Sequence, residues 1–230
     1  LYLDVHNHPN SHFIKNLFYF IIILKKILQK SIMISKQETG RQLIHIIVGI
    51  VTVILIYFNI LSPISLLALI IIGILASFIC KRRKLFLFSL FLKHFERENM
   101  QKKFPGKGLI FFFIGVLLVV QLFEKDIALA SIMVLTFGDS ISHLVGAKYG
   151  KLKNIFNWKG RKLLEGTIAG TIAGFLGAMI FVHPALAFIG SATAMFAEVV
   201  KIDFNDNTLD DNLVVPLIAG TVMFIVRIVV

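Results

Sequence analysis

Seven long apolar runs dominate the sequence and leave few options for its fold. Each run is 16–21 residues long, which is near the length that a helix needs to cross the hydrocarbon core of a bilayer. Because lipid offers the backbone no hydrogen-bond partners, a chain that enters it must stay helical. The pattern predicts an all-α, polytopic integral membrane bundle of about seven transmembrane helices. The predicted spans are residues 43–60, 64–79, 108–123, 127–147, 166–182, 184–200 and 213–230.

Charge and composition narrow the class of protein further. Apolar residues make up 57% of the chain and charged residues only 16%, yet 24 Lys and Arg outnumber 13 Asp and Glu, which gives a net charge of +11. A soluble nucleic-acid-binding domain spreads basic residues over a polar surface, and little polar surface is available here. We therefore expect no nucleic-acid partner, and nothing in the sequence indicates a particular protein partner. A single cysteine, Cys80, excludes a disulfide framework and a Cys-based zinc site.

The links between the spans alternate between short and long. Those after spans one, three and five are short, whereas residues 81–107 and 148–162 are long and hold 15 of the 24 basic residues. The third long link, residues 201–212, is acidic and falls on the same side by parity. We call the side with the long links the loop face and the other side the bare face. The positive-inside rule predicts a multi-pass protein whose loop face is cytoplasmic.

The N-terminal segment does not fit the pattern of spans. Its apolar patch, residues 13–24, is short and broken by Lys15. We expect an N-terminal extension over residues 1–35, which is either an interfacial amphipathic helix or sequence upstream of a start at Met33. Three histidines near the start could bind a metal, although a disordered tail is the simpler interpretation. A single membrane-embedded domain is expected over residues 36–230.

Asp139 is the sharpest functional signal, because an ionisable residue inside a span is costly and usually marks a function. Asp139, Ser142, His143 and Gly146 follow one another at helical spacing, so they share one face of the span. That face must point into the protein. The alternative is a structural Asp–Lys pair within the bundle.

Glycine and lysine alternate directly after this span. Gly146, Lys148, Gly150 and Lys151 lie there, and Lys162 precedes the next span. Bare backbone N–H groups and point charges at a helix end suit phosphate binding. Basic loops beside a membrane also set topology or touch anionic lipid, so this alternative stays open.

Further carboxylates lie at the loop-face ends of three other spans. Glu165 begins span five, Glu198 ends span six, and Asp211 and Asn212 precede span seven. Hard oxygen ligands in such positions suit Mg²⁺. A carboxylate at a helix N-terminus and a solvated acidic loop are the alternatives. Span five also carries glycines at every fourth residue, a pattern typical of close helix packing.

Two more groups complete the loop face. Lys107 and Gly108 open span three, and Glu38, Arg41 and His45 recur at i, i+3 and i+7 along the first span. His45 lies inside the apolar run and is either a packed core residue or, with Arg41, part of an anion site. Arg41 also fits a simple topology signal.

In this order and at these positions the segments resemble the CTP-dependent lipid kinases. That family includes dolichol kinase, phytol kinase and CTP-dependent diacylglycerol kinase, and it is related to the phosphatidate cytidylyltransferases. The resemblance covers residues 36–230. The matching segments are Glu38…Arg41…His45, Pro105-Gly106-Lys107-Gly108, Gly138-Asp139 with Gly146 and Gly150, Lys162…Glu165-Gly166, Glu198, and Asp211-Asn212 with Pro216.

Three positions depart from the family pattern. Arg41 is followed by Gln42 where the family often has Lys, and position 142 is Ser where a small apolar residue is common. Leu163 replaces the Thr or Ser that usually follows the lysine of the Lys-x-x-Glu-Gly motif. The missing hydroxyl at position 163 leaves the details of phosphate or metal contact open.

The resemblance implies transfer of the γ-phosphate of CTP to a membrane lipid alcohol, with Mg²⁺ as cofactor. Asp139, Arg41 and His45 are then the expected catalytic residues, with Asp139 as either metal ligand or acceptor of the alcohol proton. The expected nucleotide-binding residues are Lys107, Gly108, Gly146, Lys148, Gly150, Lys151 and Lys162. The expected metal ligands are Asp139, Glu165, Glu198, Asp211 and Asn212.

Three other functions remain as alternatives. A cytidylyltransferase that acts on a lipid phosphate needs similar metal and CTP sites. A small transporter could use Asp139 as an ion or proton site, but no internal repeat is evident and one face is bare. A non-enzymatic lipid-binding scaffold explains the basic loops but not three separated carboxylate clusters.

Overall fold

The computed structural model describes residue 22 and residues 36–82, 104–150, 164–199, 203–204, 207–208 and 210–229. These residues form seven continuous helices and one antiparallel pair of two-residue strands. The predicted N-terminal extension, apart from residue 22, lies outside the described residues. The helices are α1 (Lys36–Tyr57), α2 (Pro63–Arg82), α3 (Lys107–Leu122), α4 (Lys125–Tyr149), α5 (Leu164–Ala178), α6 (Pro184–Val199) and α7 (Asp211–Val229), and the strands are β1 (Asp203–Phe204) and β2 (Asn207–Thr208).

Each of the seven helices coincides with one of the seven apolar runs, so the predicted all-α, polytopic class is confirmed. Four helices, α1, α2, α4 and α7, are long and apolar enough to cross a membrane. The other three, α3, α5 and α6, are apolar helices of 15–16 residues. The chain is an integral membrane protein whose helices differ in length and so end at different depths.

α4 is the centre of the bundle. In the stretch of α4 that is long enough to cross a membrane, 89% of the residues are buried. The corresponding fractions for α1, α2 and α7 are 17–33%. α1, α3, α5, α6 and α7 all pack against α4, and α2 lies along the outer side of α3. A helix surrounded in this way is apolar on every side, and its few polar residues consequently face protein rather than lipid.

α5 approaches α4 closely through its glycines. A Cβ at Gly166 would lie 2.6 Å from the carbonyl oxygen of Ser142, and one at Gly170 would lie 2.7 Å from that of Gly138. These distances are shorter than any real Cβ contact, so both positions require glycine. The period-four glycines are therefore a packing surface, as the sequence pattern predicted.

One turn of α4 departs from regular α-helix. Residues Val134–Asp139 are π-helical and wholly buried, and the turn ends at Asp139. A π-turn adds one residue to a helical turn and changes the direction of the side chains that follow; such turns are frequent at functional sites. This irregularity sets the direction in which Asp139 and the next turn of α4 project.

Charged side chains hold the bare face together. Arg227 near the end of α7 pairs with Asp126 at the start of α4 at 2.5 Å and with Glu124 at 2.7 Å. Lys125 donates to the carbonyl of Tyr57 at 2.9 Å and to Asn59 Oδ1 at 2.7 Å. These bonds tie the ends of α1, α4 and α7 together on the side opposite the long loops.

Candidate active site

Three carboxylates and one imidazole converge at one point in the bundle. Asp139, His143, Glu198 and Asp211 each offer one ligand atom, and these four atoms lie within 4.8 Å of one another. Asp139 and His143 come from α4, Glu198 from the end of α6, and Asp211 from the start of α7. We call these four residues the acidic cluster. Three of the five predicted metal ligands thus meet, although up to 72 positions of sequence separate them.

The acidic cluster lies well inside the bundle. Asp139 is ten residues before the end of α4, which is about 15 Å along the helix axis. α7 begins beside Gly115, where a Cβ would collide with the carbonyl oxygen of Asn212. Because Gly115 is eight residues into α3, this contact is about 12 Å from the start of that helix. The ends of α6 and α7 are therefore recessed to the depth of Asp139.

Burial and charge make this cluster suitable for a cation. Glu198 is 3% exposed and Asp139 is 9% exposed, and charged carboxylates repel one another strongly at such depth and separation. The Oδ1 of Asn212 is buried and has no hydrogen-bond partner among the described residues, while its Nδ2 donates to Asp210 at 2.9 Å. Carboxylate and amide oxygens are the ligands that hard divalent cations prefer. The residues present fit a divalent metal ion.

Glu165, a further predicted metal ligand, is not part of the acidic cluster. It lies in the first turn of α5, and the next residue, Gly166, packs against Ser142 and Gly146 of α4. This position is nearer to the loop-face end of α4 than Asp139 is. The structure therefore separates Glu165 from the other predicted ligands by about one helical turn or more.

Lys107 reaches toward the site from the start of α3. Its Nζ lies 3.4 Å from Oδ2 of Asp210 and 5.1 Å from the centre of the Phe111 ring. Gly108, the next residue, is exposed, and a Cβ there would meet nothing within 4 Å. Lys107 and Gly108, two of the predicted nucleotide-binding residues, therefore lie on the loop-face side of the acidic cluster.

The predicted glycine–lysine segment at the end of α4 is described only in part. Gly146 lies against Gly166 of α5, so at this contact its missing side chain serves helix packing. Lys148 stands over the Tyr149 ring at 5.0 Å, and the N–H of Gly150 donates to Gly146 to close the helix. Lys151 and Lys162 lie outside the described residues.

The polar residues of α1 form a connected group. Glu38 accepts hydrogen bonds from Arg41 at 2.6 Å and from Gln42 at 3.0 Å. Further along the helix, the His45 ring meets Phe112 of α3 edge to face at 5.4 Å. α1 packs along the part of α4 that carries Asp139 and His143. The first helix therefore borders the acidic cluster, with Arg41 already engaged by Glu38.

Sequence reasoning placed His143 on the Asp139 face but not among the metal ligands. The signal was its i+4 spacing from Asp139, which puts the two side chains one turn apart; their Nε2 and Oδ1 atoms lie 3.3 Å apart. Sequence reasoning also passed over Asp210, the partner of Lys107. Nothing in the acidic loop distinguished Asp210 from its neighbours.

The fold and the site together define a class of membrane protein. Six helices packed around or beside a buried central one, with carboxylates recessed near one end, make a polytopic membrane protein with an intramembrane candidate metal site. Over 193 residues the chain is 31% identical to an uncharacterized protein of Methanocaldococcus jannaschii. The alignment covers 81% of this chain and 93% of that protein. No family model and no solved structure matches the chain.

Several relatives of this chain carry functional names. The chain is 26% identical over 147 residues to CTP-dependent diacylglycerol kinase 1 of Schizosaccharomyces pombe, across 54% of this chain and 62% of that protein. It is 29% identical over 148 residues to a probable chloroplastic phytol kinase of Triticum aestivum, across 58% of this chain and 48% of that protein. The chain thus spans about half to three fifths of these kinases. The chain is therefore similar to proteins named as CTP-dependent lipid kinases and phytol kinases, in agreement with the resemblance that the sequence motifs indicated.

Proposed function

We propose that this protein transfers the γ-phosphate of CTP to the hydroxyl group of a membrane lipid alcohol of the polyprenol, dolichol, phytol or diacylglycerol type. The observation that carries the proposal is the convergence of Asp139, Glu198 and Asp211 inside the membrane bundle of a lipid-kinase relative. Phosphoryl transfer needs positioning and charge neutralisation more than covalent help from the protein. A recessed carboxylate cluster with cationic residues above it supplies both.

Mg²⁺ is the proposed cofactor, held by Asp139, Glu198 and Asp211 with Asn212 beside them. Bound there, the ion would neutralise phosphate charge in the reaction. Glu165, one turn or more nearer to the loop face, is proposed to meet the metal–nucleotide complex rather than the ion in the acidic cluster. The unpartnered Oδ1 of Asn212 supports its assignment as an additional oxygen ligand.

The nucleotide is proposed to enter from the loop face, which we take to be cytoplasmic. The basic residues proposed to contact its phosphates are Lys107, Lys148, Lys151 and Lys162. Gly108 and Gly150 leave the backbone near these lysines uncovered, and Gly146 fixes how closely α4 and α5 approach beneath them. The contact between Lys107 and Asp210 supports this placement, because it shows that the ammonium group reaches down to the start of α7.

The acceptor is proposed to arrive sideways from the bilayer. Its hydroxyl oxygen forms a bond to the γ-phosphorus of CTP. The bond between the γ-phosphorus and the oxygen that bridges it to the β-phosphorus breaks, and CDP leaves with that electron pair. The hydroxyl proton passes to a carboxylate, for which Asp139 is the proposed acceptor if it is not fully engaged by metal. Arg41, at the border of the acidic cluster, is proposed to offset the charge of the transferred group.

The decisive experiment uses purified protein, γ-labelled CTP, Mg²⁺ and a panel of lipid alcohols. We expect label in the lipid for the wild type and a loss of at least about 100-fold for Asp139→Asn, which keeps shape and removes charge. Glu124→Gln is the matched control, because this carboxylate lies exposed on the bare face. Near-normal activity of Asp139→Asn would sink the site assignment. Label released as diphosphate when a lipid phosphate replaces the alcohol would indicate cytidylyl transfer instead.

A further inference from the structure

The buried imidazole of His45, an expected catalytic residue, has no contact assigned to it in the proposed function. The Nε2 of His45 is buried and has no hydrogen-bond partner in the part of the chain that the structure describes. Leaving a buried polar atom without a partner is costly. A polar atom kept in an apolar run at this cost points to a ligand that completes it.

The position of His45 matches that of the reacting groups. It lies nine residues after the start of α1, or about 14 Å along the axis, which is close to the depth estimated for Asp139 from the end of α4. Its ring is held against Phe112, and the buried Ile46 follows it on α1. The imidazole thus has apolar neighbours, and its helix packs along the part of α4 that carries Asp139 and His143.

The immediate surroundings of His45 suit a neutral ligand group. Arg41, one turn earlier, pairs with Glu38 at 2.6 Å through one nitrogen, while its buried Nε has no hydrogen-bond partner among the described residues, so this side chain remains able to meet the transferred phosphoryl group. A hydroxyl both donates and accepts a hydrogen bond, and it therefore satisfies Nε2 in either neutral tautomer. The His45 ring itself contacts the aromatic ring of Phe112, which suits the first carbons of a lipid alcohol.

α1 and α2 pack against different helices of the bundle. The two helices are joined by residues 58–62 on the bare face, but α1 packs along α4 and α2 packs along α3. The outward side of α1 carries exposed Leu43, Ile47 and Val51. The boundary between α1 and α2 is where we place the hydrocarbon chain of the acceptor.

Resting on the proposed kinase function, we propose that His45 is the hydrogen-bond partner of the acceptor's hydroxyl. The acceptor is an uncharged lipid alcohol whose chain lies between α1 and α2, with Phe112 against its first carbons. This assignment separates the site into a nucleotide side, formed by α3, α4, α6 and α7, and an acceptor side, formed by α1 and Phe112. It also favours an alcohol over a lipid phosphate as the second substrate.

The test compares His45→Leu with His45→Gln, which keeps hydrogen-bonding capacity. We expect His45→Leu to raise KM for the alcohol about 5- to 10-fold while KM for CTP changes less than 2-fold. His45→Gln should recover most of the acceptor affinity. His183→Leu is the matched control, because it removes an exposed imidazole on the bare face and should leave both constants unchanged.

A second measurement needs no turnover. The Nε2 resonance of His45 is identified in the ¹⁵N-histidine-labelled protein by its absence from the spectrum of His45→Gln. Titration of the labelled wild type with a lipid alcohol, without nucleotide, should shift this resonance. If the wild type phosphorylates alcohols but His45→Leu keeps its acceptor KM, or if the resonance does not move, the assignment of His45 is wrong while the kinase proposal stands. If no alcohol is phosphorylated but the resonance moves, the kinase proposal fails and the alcohol site stands.

Discussion

The Nε2 atom of His143 lies 3.3 Å from Oδ1 of Asp139, one turn further along the same buried helix. An imidazole thus stands inside a group of carboxylates that would otherwise offer only oxygen. This pairing has two effects: it gives Asp139 a fixed neighbour, and it adds a nitrogen donor to a site otherwise suited to hard cations. Imidazole nitrogen is accepted more readily by Mn²⁺ and its neighbours in the first transition row than by Mg²⁺.

The first prediction concerns the choice of metal. We expect Mn²⁺ to bind the wild type at least about tenfold more tightly than Mg²⁺, and His143→Gln to reduce this ratio because it replaces nitrogen with an amide. Electron paramagnetic resonance of bound Mn²⁺, with Mg²⁺ as competitor, measures the ratio directly. His183→Gln on the bare face is the control. A ratio unaffected by His143→Gln would exclude the imidazole from the metal's ligands.

The second prediction concerns the stability of the acidic cluster. Glu198→Gln removes one of three mutually repelling carboxylates, so in EDTA the variant should unfold at a higher temperature than the wild type. In millimolar Mg²⁺ the order should reverse, because the variant loses a metal ligand and with it the stabilisation by binding. Thermal unfolding in detergent, followed by circular dichroism, gives both values. The same order of stabilities in both buffers would argue against a cation site.

The third prediction compares two helical glycines. Gly166→Ala places a Cβ against the carbonyl of Ser142 and should destabilise the protein by about 1–3 kcal/mol, since backbone must move to admit it. Gly40→Ala, where a Cβ meets nothing within 4 Å, should be neutral or stabilise the helix by up to about 1 kcal/mol. Unfolding in SDS measures the difference. Equal effects of the two substitutions would contradict the close approach of α4 and α5.

The fourth prediction concerns Lys107. If this ammonium group meets the triphosphate, Lys107→Met should raise KM for CTP about tenfold or more, with KM for the alcohol nearly unchanged. Asp210→Asn releases the lysine from its carboxylate partner and should not raise KM for CTP. Lys125→Met is the matched control, because this lysine bonds to the end of α1 on the bare face. Steady-state kinetics with each substrate varied in turn makes the comparison.

The fifth prediction concerns the ion pair on the bare face. Asp126 and Arg227 are partly exposed, so their interaction is screened, and a double-mutant cycle with Asp126→Asn and Arg227→Gln should give about 0.5–1 kcal/mol. The interaction energy should fall as salt rises. Neither single variant should alter KM for CTP, because the pair lies at the other end of the bundle from Lys107. A large change in KM would indicate coupling between the two faces.

Sequence patterns predicted the helices and most of the acidic residues of the site. Hydropathy alone located all seven helices, because a buried or lipid-facing helix needs an uninterrupted apolar run. Asp139 was recognisable because a carboxylate inside such a run is rare. Glu198 and Asp211 could be named as candidates from their positions at helix ends, although their contact with Asp139 depends on how deeply α6 and α7 sit.

Helix depth and helix rotation could not be predicted in the same way. The recess of α7 depends on its contact with Gly115, a long-range packing choice that leaves no local pattern. The π-turn before Asp139 also has no clear sequence signature, yet it sets which side chains follow Asp139 toward the cluster. Gly146 shows a contact that its sequence pattern did not reveal. A glycine beside lysine suggested phosphate binding, which stays a prediction, and the structure adds that Gly146 lies against Gly166 of α5.

The recessed start of α7 has a consequence for the route that each reactant takes. The ends of α6 and α7 stop near the level of Asp139, while α3 and α4 continue further on the loop-face side. Under the proposed kinase function, a nucleotide that enters from the loop face would meet the lipid hydroxyl at the level of Asp139. The lipid would then react without rising out of the bilayer, and the length of its tail would have little influence on whether its hydroxyl reacts.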